Sequence, residues 1–183
     1  MNYYLDILLK PDAEMRENVL MNKVYTKLHK ALCDLQANDV GVSFPRYKIM
    51  LGAQLRLHAN RERLDQIASL NWLGGLAGYC DVSGVNAVPE NVQHRVISRI
   101  QTTMSNAKLQ RLIKRAGLTE PDIKAYKAKM FSRGLDNPYV ELDSGSNGHK
   151  HRRYLKFGDL QLDAQAGDFD QFGLSKSATV PWF

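Results

Sequence analysis

Tyr3-Tyr-Leu-Asp-Ile-Leu-Leu9 and, beyond Pro11-Asp12, Leu20-Met-Asn-Lys-Val-Tyr-Thr-Lys-Leu-His-Lys-Ala-Leu32 decide the fold class between them. The first stretch is short and apolar and reads as a strand closed by Pro-Asp. In the second, Leu20, Val24, Leu28 and Leu32, with Leu35 beyond, recur at helical spacing, which predicts an amphipathic helix from Glu17 to Gln36. Asn38-Asp39 then turns the chain into Val40-Gly-Val-Ser-Phe44, a short buried strand stopped by Pro45. Gln54-Leu-Arg-Leu-His58 alternates like another strand. Asn60 caps the helix that follows, with Leu64, Ile67 and Ala68 inward. After Gly74-Gly75, Tyr79–Val88 is apolar enough for a fourth strand. The order βαββαβ predicts a ferredoxin-like domain over residues 1–93, an arrangement shared by many RNA-recognition modules. Fold alone assigns no function.

The remainder, residues 94–183, reads as a second, basic α/β domain and makes the chain α+β. His94–Thr103 alternates as a strand carrying Arg95, Arg99 and Gln101. A helix starts at Ser105 or Asn106 and stops at Gly117, and Thr119-Glu-Pro-Asp opens another that runs to about Phe131. Tyr139–Leu142 and the basic Lys150–Phe157 form a hairpin around Ser144-Gly-Ser-Asn-Gly148. Asp159–Asp163 and Phe169–Phe172 predict a further hairpin around Ala166-Gly167.

Charge separates the two halves. Residues 1–93 hold 10 Lys/Arg and 10 Asp/Glu, and residues 94–183 hold 15 and 9, so the whole net charge of +6 lies in the second half. A basic segment on a neutral scaffold is the footprint of a polyanion partner, most often nucleic acid. On charge alone, a solvated helix face accounts for the same residues. Cys33 and Cys80 have neither disulfide-framework nor metal-ligand spacing and read as reduced core residues. Met1 leads straight into a strand and no apolar run reaches the length of a membrane span, so the expectation is a cytoplasmic protein.

Several residues could carry chemistry. In the basic helix, Leu109, Leu112 and Ile113 form the apolar side, while Lys108, Arg111 and Arg115 lie opposite with Lys114 at the edge. Arg99 and Gln101, two apart on a strand, point to one side; Arg can pair bidentately with guanine and Gln with adenine. His29 stands at the edge of the first helix's apolar stripe. Imidazole can serve as a general base for attack by a 2′-hydroxyl without a metal, though a half-buried histidine there can equally be structural. Ser144 and Ser146 could hold that hydroxyl or the phosphate, but the same sequence suits any hairpin loop. His151 and Arg152 on the basic strand are taken as RNA-facing, with plain exposure the alternative. No Gly-rich phosphate loop ends in Lys-Ser/Thr and no His/Cys cluster suggests zinc, so no cofactor or metal is expected.

The chain ends Gly173-Leu-Ser-Lys-Ser-Ala-Thr-Val-Pro-Trp-Phe183, and termini rarely carry Trp and Phe unless they are docked. Together with Tyr4-Leu-Asp-Ile7, Leu9-Lys-Pro-Asp12, Lys27-Leu-His29, Gly41-Val-Ser-Phe-Pro45, Leu55-Arg-Leu-His58, Ser98-Arg-Ile-Gln101, Lys114-Arg115 and the Ser144–Gly148 loop, this ending resembles the endoribonucleases that process precursor crRNA in type I-F CRISPR systems. The resemblance implies binding of the CRISPR repeat stem-loop and metal-independent cleavage at the 3′ base of the stem, giving 5′-hydroxyl and 2′,3′-cyclic phosphate ends. The enzyme would then stay on the hairpin beside other subunits of a surveillance complex. It implies His29 as general base, Ser144 orienting the ribose with Ser146 supporting it, and Arg99 with Gln101 reading bases at the foot of the stem. It also implies Arg111 and Arg115 on the helix that enters the major groove. Phe172 stands where the family often has Tyr, keeping the aromatic packing without the hydroxyl, and His151 stands where a Phe can stack on the terminal base pair. A non-catalytic subunit that only grips the hairpin is the alternative.

Overall fold

The computed structural model describes residues 1–101, 104, 106–132, 137–143 and 150–183. Strand β1 (Tyr3–Leu9) is followed by helix α1 (Glu17–Asp34), strands β2 (Gly41–Ser43) and β3 (Gln54–Ala59), helix α2 (Arg61–Ser69), and strands β4 (Cys80–Val82) and β5 (Asn86–Ala87). The sheet runs β2-β3-β1-β4 with every described pairing antiparallel, and β5 extends the β4 side of β1. Inserting β3 between β1 and β2 makes the split βαβ unit of the ferredoxin-like fold. Leu20, Val24, Leu28 and Leu32 are buried along α1, one per turn. The helix ends two residues before the expected Gln36, which has φ 49° and turns the chain toward β2.

Residues 79–88 do not form the single strand expected. Ser83 interrupts the ladder: its hydroxyl accepts the Asp6 N–H (2.9 Å) that a strand carbonyl would otherwise take. The flanking pieces, β4 and β5, pair separately with β1.

A second, four-stranded sheet has the order β7-β8-β6-β9, built from β6 (Gln93–Ile100), β7 (Tyr139–Asp143), β8 (Lys150–Phe157) and β9 (Thr179–Trp182). Helices α3 (Asn106–Ala116) and α4 (Glu120–Ser132) pack on each other between β6 and β7 in the chain. The hairpin expected around Ala166-Gly167 is absent. Residue 161 makes only an isolated bridge to His94, while Phe169 N–H donates to the Asn38 carbonyl. The next strand lies further on, in β9, and it pairs with β6, while Phe169 is buried in the core without joining a strand. The docked terminus is held at Arg56, whose Nη1 donates to the Phe183 carbonyl at 2.9 Å under the Phe183 ring.

One apolar core runs through both sheets, joining Leu5, Ile7, Leu28 and Leu57 to Ile97, Val140, Leu155, Leu174 and Val180. At Gly173, as at Phe169, the two halves touch backbone to backbone: the Gly173 carbonyl accepts from Val42 N–H at 3.0 Å. This glycine has φ 70°, and a Cβ there would lie 2.5 Å from Val42 Cγ1 and 3.2 Å from Val42 N. Gly173→Ala should therefore lower stability by about 1–3 kcal/mol, from left-handed strain together with the clash, as measured by urea unfolding.

His58 is fully buried in β3, with Nε2 2.8 Å from Ser43 Oγ and no partner at Nδ1. Burial, aided by Arg56, lowers its pKa from near 6.5 to about 3. The unfolded chain therefore takes up this proton first as pH falls. The stability involved is intact above about pH 6.5 and is lost on acidification toward pH 3. Between pH 7 and 5 His58 alone should cost about 2 kcal/mol. Parallel unfolding titrations should show that His58→Gln removes this part of the slope.

Candidate active site

Helix α1 presents His29 half-buried, one residue past the fully buried Leu28. Its Nδ1 lies 2.8 Å from the Gln171 carbonyl oxygen. A carbonyl only accepts, so in the neutral ring Nδ1 carries the proton and Nε2 keeps its lone pair. The ring stacks on Phe172 with centroids 3.5 Å apart and planes 13° from parallel. One turn along α1, Cys33 Sγ sits 3.6 Å from Nδ1 and 3.8 Å from Nε2 and donates to Gln171 Oε1 at 3.0 Å. Burial, then the Asp34 charge, pushes the Cys33 thiol up, which keeps it a neutral donor. The sequence reading put Cys33 in the core; it is instead partly exposed, beside His29.

Phe172 is placed by a turn that leaves little freedom. Asp170 Oδ1 accepts the N–H groups of Phe172 (2.9 Å) and Leu174 (3.0 Å), and the Gly173 N–H donates to the Asp170 carbonyl at 2.8 Å. From α1, the Tyr25 hydroxyl donates to the Phe172 carbonyl at 2.7 Å. Burial, with Asp170 adding to it, pushes the Tyr25 pKa far up, so the hydroxyl stays protonated and donating. On the other side of this cluster the Arg153 guanidinium lies 3.5 Å from the centre of the Phe172 ring.

Arg153 also lines an open cleft of about 590 Å³ whose walls include Arg99, Gln101, Asp170, Ser175 and Lys176. The strand pair expected to read bases thus opens into the same space that Arg153 borders. This follows from β6, where Arg95 and Ile97 are buried and the alternate positions continuing that face, Arg99 and Gln101, emerge exposed at its end. Arg95 itself is structural. It donates to the Gly158 carbonyl from Nε (3.0 Å) and Nη2 (2.7 Å) and lies 4.6 Å from the Trp182 ring.

The other candidates are spread more widely. On α3, Leu109 is buried while Lys108, Arg111, Lys114 and Arg115 are exposed, and none of the four lines the cleft. His151 is exposed on the Arg153 face of β8. Arg152 lies on the opposite face, with Nε 3.4 Å from Glu141 Oε2 and its guanidinium 4.5 Å from the Tyr139 ring. Ser144 and Ser146 lie outside the described residues. Among the described residues, no group of three or more His, Cys, Asp or Glu is placed to hold a metal ion, and no helix is long and apolar enough to cross a membrane.

Tyr25, Gln171 and Arg153 were not singled out from sequence. For the first two no periodic signal exists, since they meet across more than a hundred residues of chain. For Arg153 a signal was present: two residues before the buried Leu155 it occupies the inward face of its strand, where a cation is out of place.

A family model described as CRISPR-associated protein (Cas_Csy4) matches residues 4–183. A protein of Escherichia coli (strain UTI89 / UPEC) described as CRISPR-associated endonuclease Cas6/Csy4 is 36% identical over 184 residues, covering 100% of both chains. One of Pseudomonas aeruginosa (strain UCBPP-PA14) with the same description is 36% identical over 187 residues, again covering 100% of both. A solved CRISPR endoribonuclease, Cse3 bound to 19 nt RNA, covers 99% of this chain and 100% of its own at 11% identity and a TM-score of 0.35, a likeness too slight to argue from. With its family model matched from residue 4 to the last residue and two full-length relatives sharing more than a third of its residues, the chain belongs to the Csy4 family of CRISPR-associated proteins.

Proposed function

We propose that the protein is an endoribonuclease that grips the CRISPR repeat stem-loop, cuts precursor crRNA at the 3′ base of the stem, and remains on the hairpin within a type I-F surveillance complex. The observation that carries this reading is the setting of His29. Hydrogen-bonded through Nδ1 to a backbone carbonyl and stacked on Phe172, it keeps one nitrogen with a lone pair at a half-exposed position. That nitrogen takes the proton of the 2′-hydroxyl. The 2′ oxygen bonds to phosphorus, the P–O5′ bond breaks, and the 5′ oxygen leaves and is protonated. The ends are a 2′,3′-cyclic phosphate and a 5′-hydroxyl, and no metal takes part.

Ser144 and Ser146 keep the roles the resemblance implies, orienting the ribose and supporting the loop. Arg99 and Gln101 read the bases at the foot of the stem. Lys108, Arg111, Lys114 and Arg115 of α3 hold the duplex phosphates, with His151 stacking at the stem end and Arg152 supplying charge nearby. In this division residues 1–93 form the scaffold that supplies the base, and residues 94–183 form the clamp. The hydroxyl missing at Phe172 is tolerated because the His29 ring is held by the Gln171 carbonyl and by the aromatic stack.

Incubation in EDTA with end-labelled repeat RNA from its own host should give one cut, and an RNA with a single 2′-deoxy substitution at that position should bind tightly and stay whole. His29→Ala should slow cleavage by about 10²–10⁴-fold with affinity nearly unchanged. Tight binding with no cleavage by the wild type would instead favour a subunit that only holds the hairpin. The α3 surface is tested separately. Arg111→Ala with Arg115→Ala should weaken hairpin binding and lower its salt dependence by about one unit of slope per arginine, measured by filter binding across a salt series.

A further inference from the structure

Among the described residues three arginines are more than nine-tenths buried, and two of these three are compensated. Arg56 makes a two-pronged pair with Asp6 (2.6 and 2.9 Å) and donates to the Phe183 carbonyl. Arg95, at the edge of that class, donates to Gly158 and to the Tyr47 hydroxyl. Arg153, 8% exposed, has no acceptor at Nε, and its described carboxylate contact is Asp170 Oδ2 at 3.9 Å. That carboxylate is already engaged, since Asp170 Oδ1 accepts two backbone N–H groups. Burial, then the nearby Arg99 charge, lowers the Arg153 pKa, the direction expected of a cation held without enough negative charge.

A buried guanidinium costs stability unless an anion or several acceptors surround it. The fold meets this requirement at Arg56 and Arg95 and leaves it unmet at Arg153, which borders the cleft that Arg99 and Gln101 also line. The cleft carries Arg99, Arg153 and Lys176 against Asp168 and Asp170, with Ser175 and Ser177 as neutral donors. It is therefore built for an anion that the protein does not itself provide. Position supplies the rest. Arg153 shares the cleft with Arg99 and Gln101 at one end and stacks on Phe172, which stacks on His29, at the other.

We infer that Arg153, with Lys176 of the same cleft, binds a backbone phosphate of the RNA strand between the bases read by Arg99 and Gln101 and the linkage presented to His29. This rests on the cleavage reading above and extends it. The phosphate completes the charge balance of Arg153, and Arg153 in turn presses Phe172 onto the His29 ring. Binding of the strand and ordering of the base become one event.

The probe is the host repeat hairpin with 2′-deoxyribose at the cut, carrying one neutral methylphosphonate at a time along the strand that leaves the foot of the stem. For the wild type, one position should weaken binding by about 10-fold or more, the loss expected for a charge-assisted contact. Arg153→Gln should bind the unmodified hairpin more weakly by a similar factor and be indifferent to the methylphosphonate at that position, while responding normally elsewhere. Identical profiles for the two proteins would overturn the phosphate site and leave the cleavage reading standing. Failure of the wild type to prefer the unmodified hairpin over a scrambled RNA would overturn both.

Should Arg153→Gln not fold, Asp170→Asn tests the same site. It keeps an oxygen for the turn and removes the competing charge, so hairpin binding should tighten by roughly 3-fold. The gain should vanish with the methylphosphonate at the one position. No gain, or a gain indifferent to that substitution, would overturn the proposal.

Discussion

The hydrogen bond from the buried Tyr25 hydroxyl to the Phe172 carbonyl ties the first helix to the last turn of the chain. Next to it the Gly173 carbonyl accepts from Val42, so the same turn is also sewn to the first sheet. These two contacts let Leu174, Ala178 and Val180 enter the core that Leu28 and Leu57 already occupy. They also determine what His29 can do. Gln171 and Phe172 belong to that turn, and they hold one nitrogen and one face of the imidazole. In a low-dielectric setting a phenol that cannot ionise is a dependable donor, and the raised pKa of Tyr25 makes it one.

Charge is handled in two ways inside this fold. Arg56 and Arg95 lock structure: one secures the terminal carbonyl and Asp6, the other a loop carbonyl beneath an aromatic cluster. Their geometry leaves little for a ligand to improve. Arg153 is as deeply buried and far less hydrogen-bonded, and it lines the cleft that Arg99 and Gln101 share. A protein that keeps such a group gives up stability at that point and gains a site whose charge is already positioned and partly dehydrated.

Legibility in the sequence followed chain distance. The βαββαβ order could be read because each element announces itself locally, through the four-residue recurrence of Leu20, Val24, Leu28 and Leu32 and the alternation about Leu55 and Leu57. Where a side chain replaced a backbone partner, as Ser83 does in the fourth strand, the reading ran one strand across two. Where a strand pairs at a distance, as β9 does with β6, an apolar tail was recognisable as docked but its partner was not. His29 and Phe172 were both picked out, by the motifs they belong to. Their contact was not legible, because nothing periodic links residue 29 to residue 172.

The sequence by itself determined the βαββαβ pattern of the first half, the basic second half, the histidine at the edge of the first helix and the family. All of these depend on residue type and short-range spacing. Only the tertiary structure decided which nitrogen of His29 keeps its lone pair, that Cys33 sits beside it, and that Arg153 stands in the cleft wall short of acceptors. The physical reason is that hydrogen-bond direction and the compensation of a buried charge are set by the groups that packing brings together. Those groups come from α1, β8 and the Asp170 turn, three segments that have no reason to meet until the core has formed.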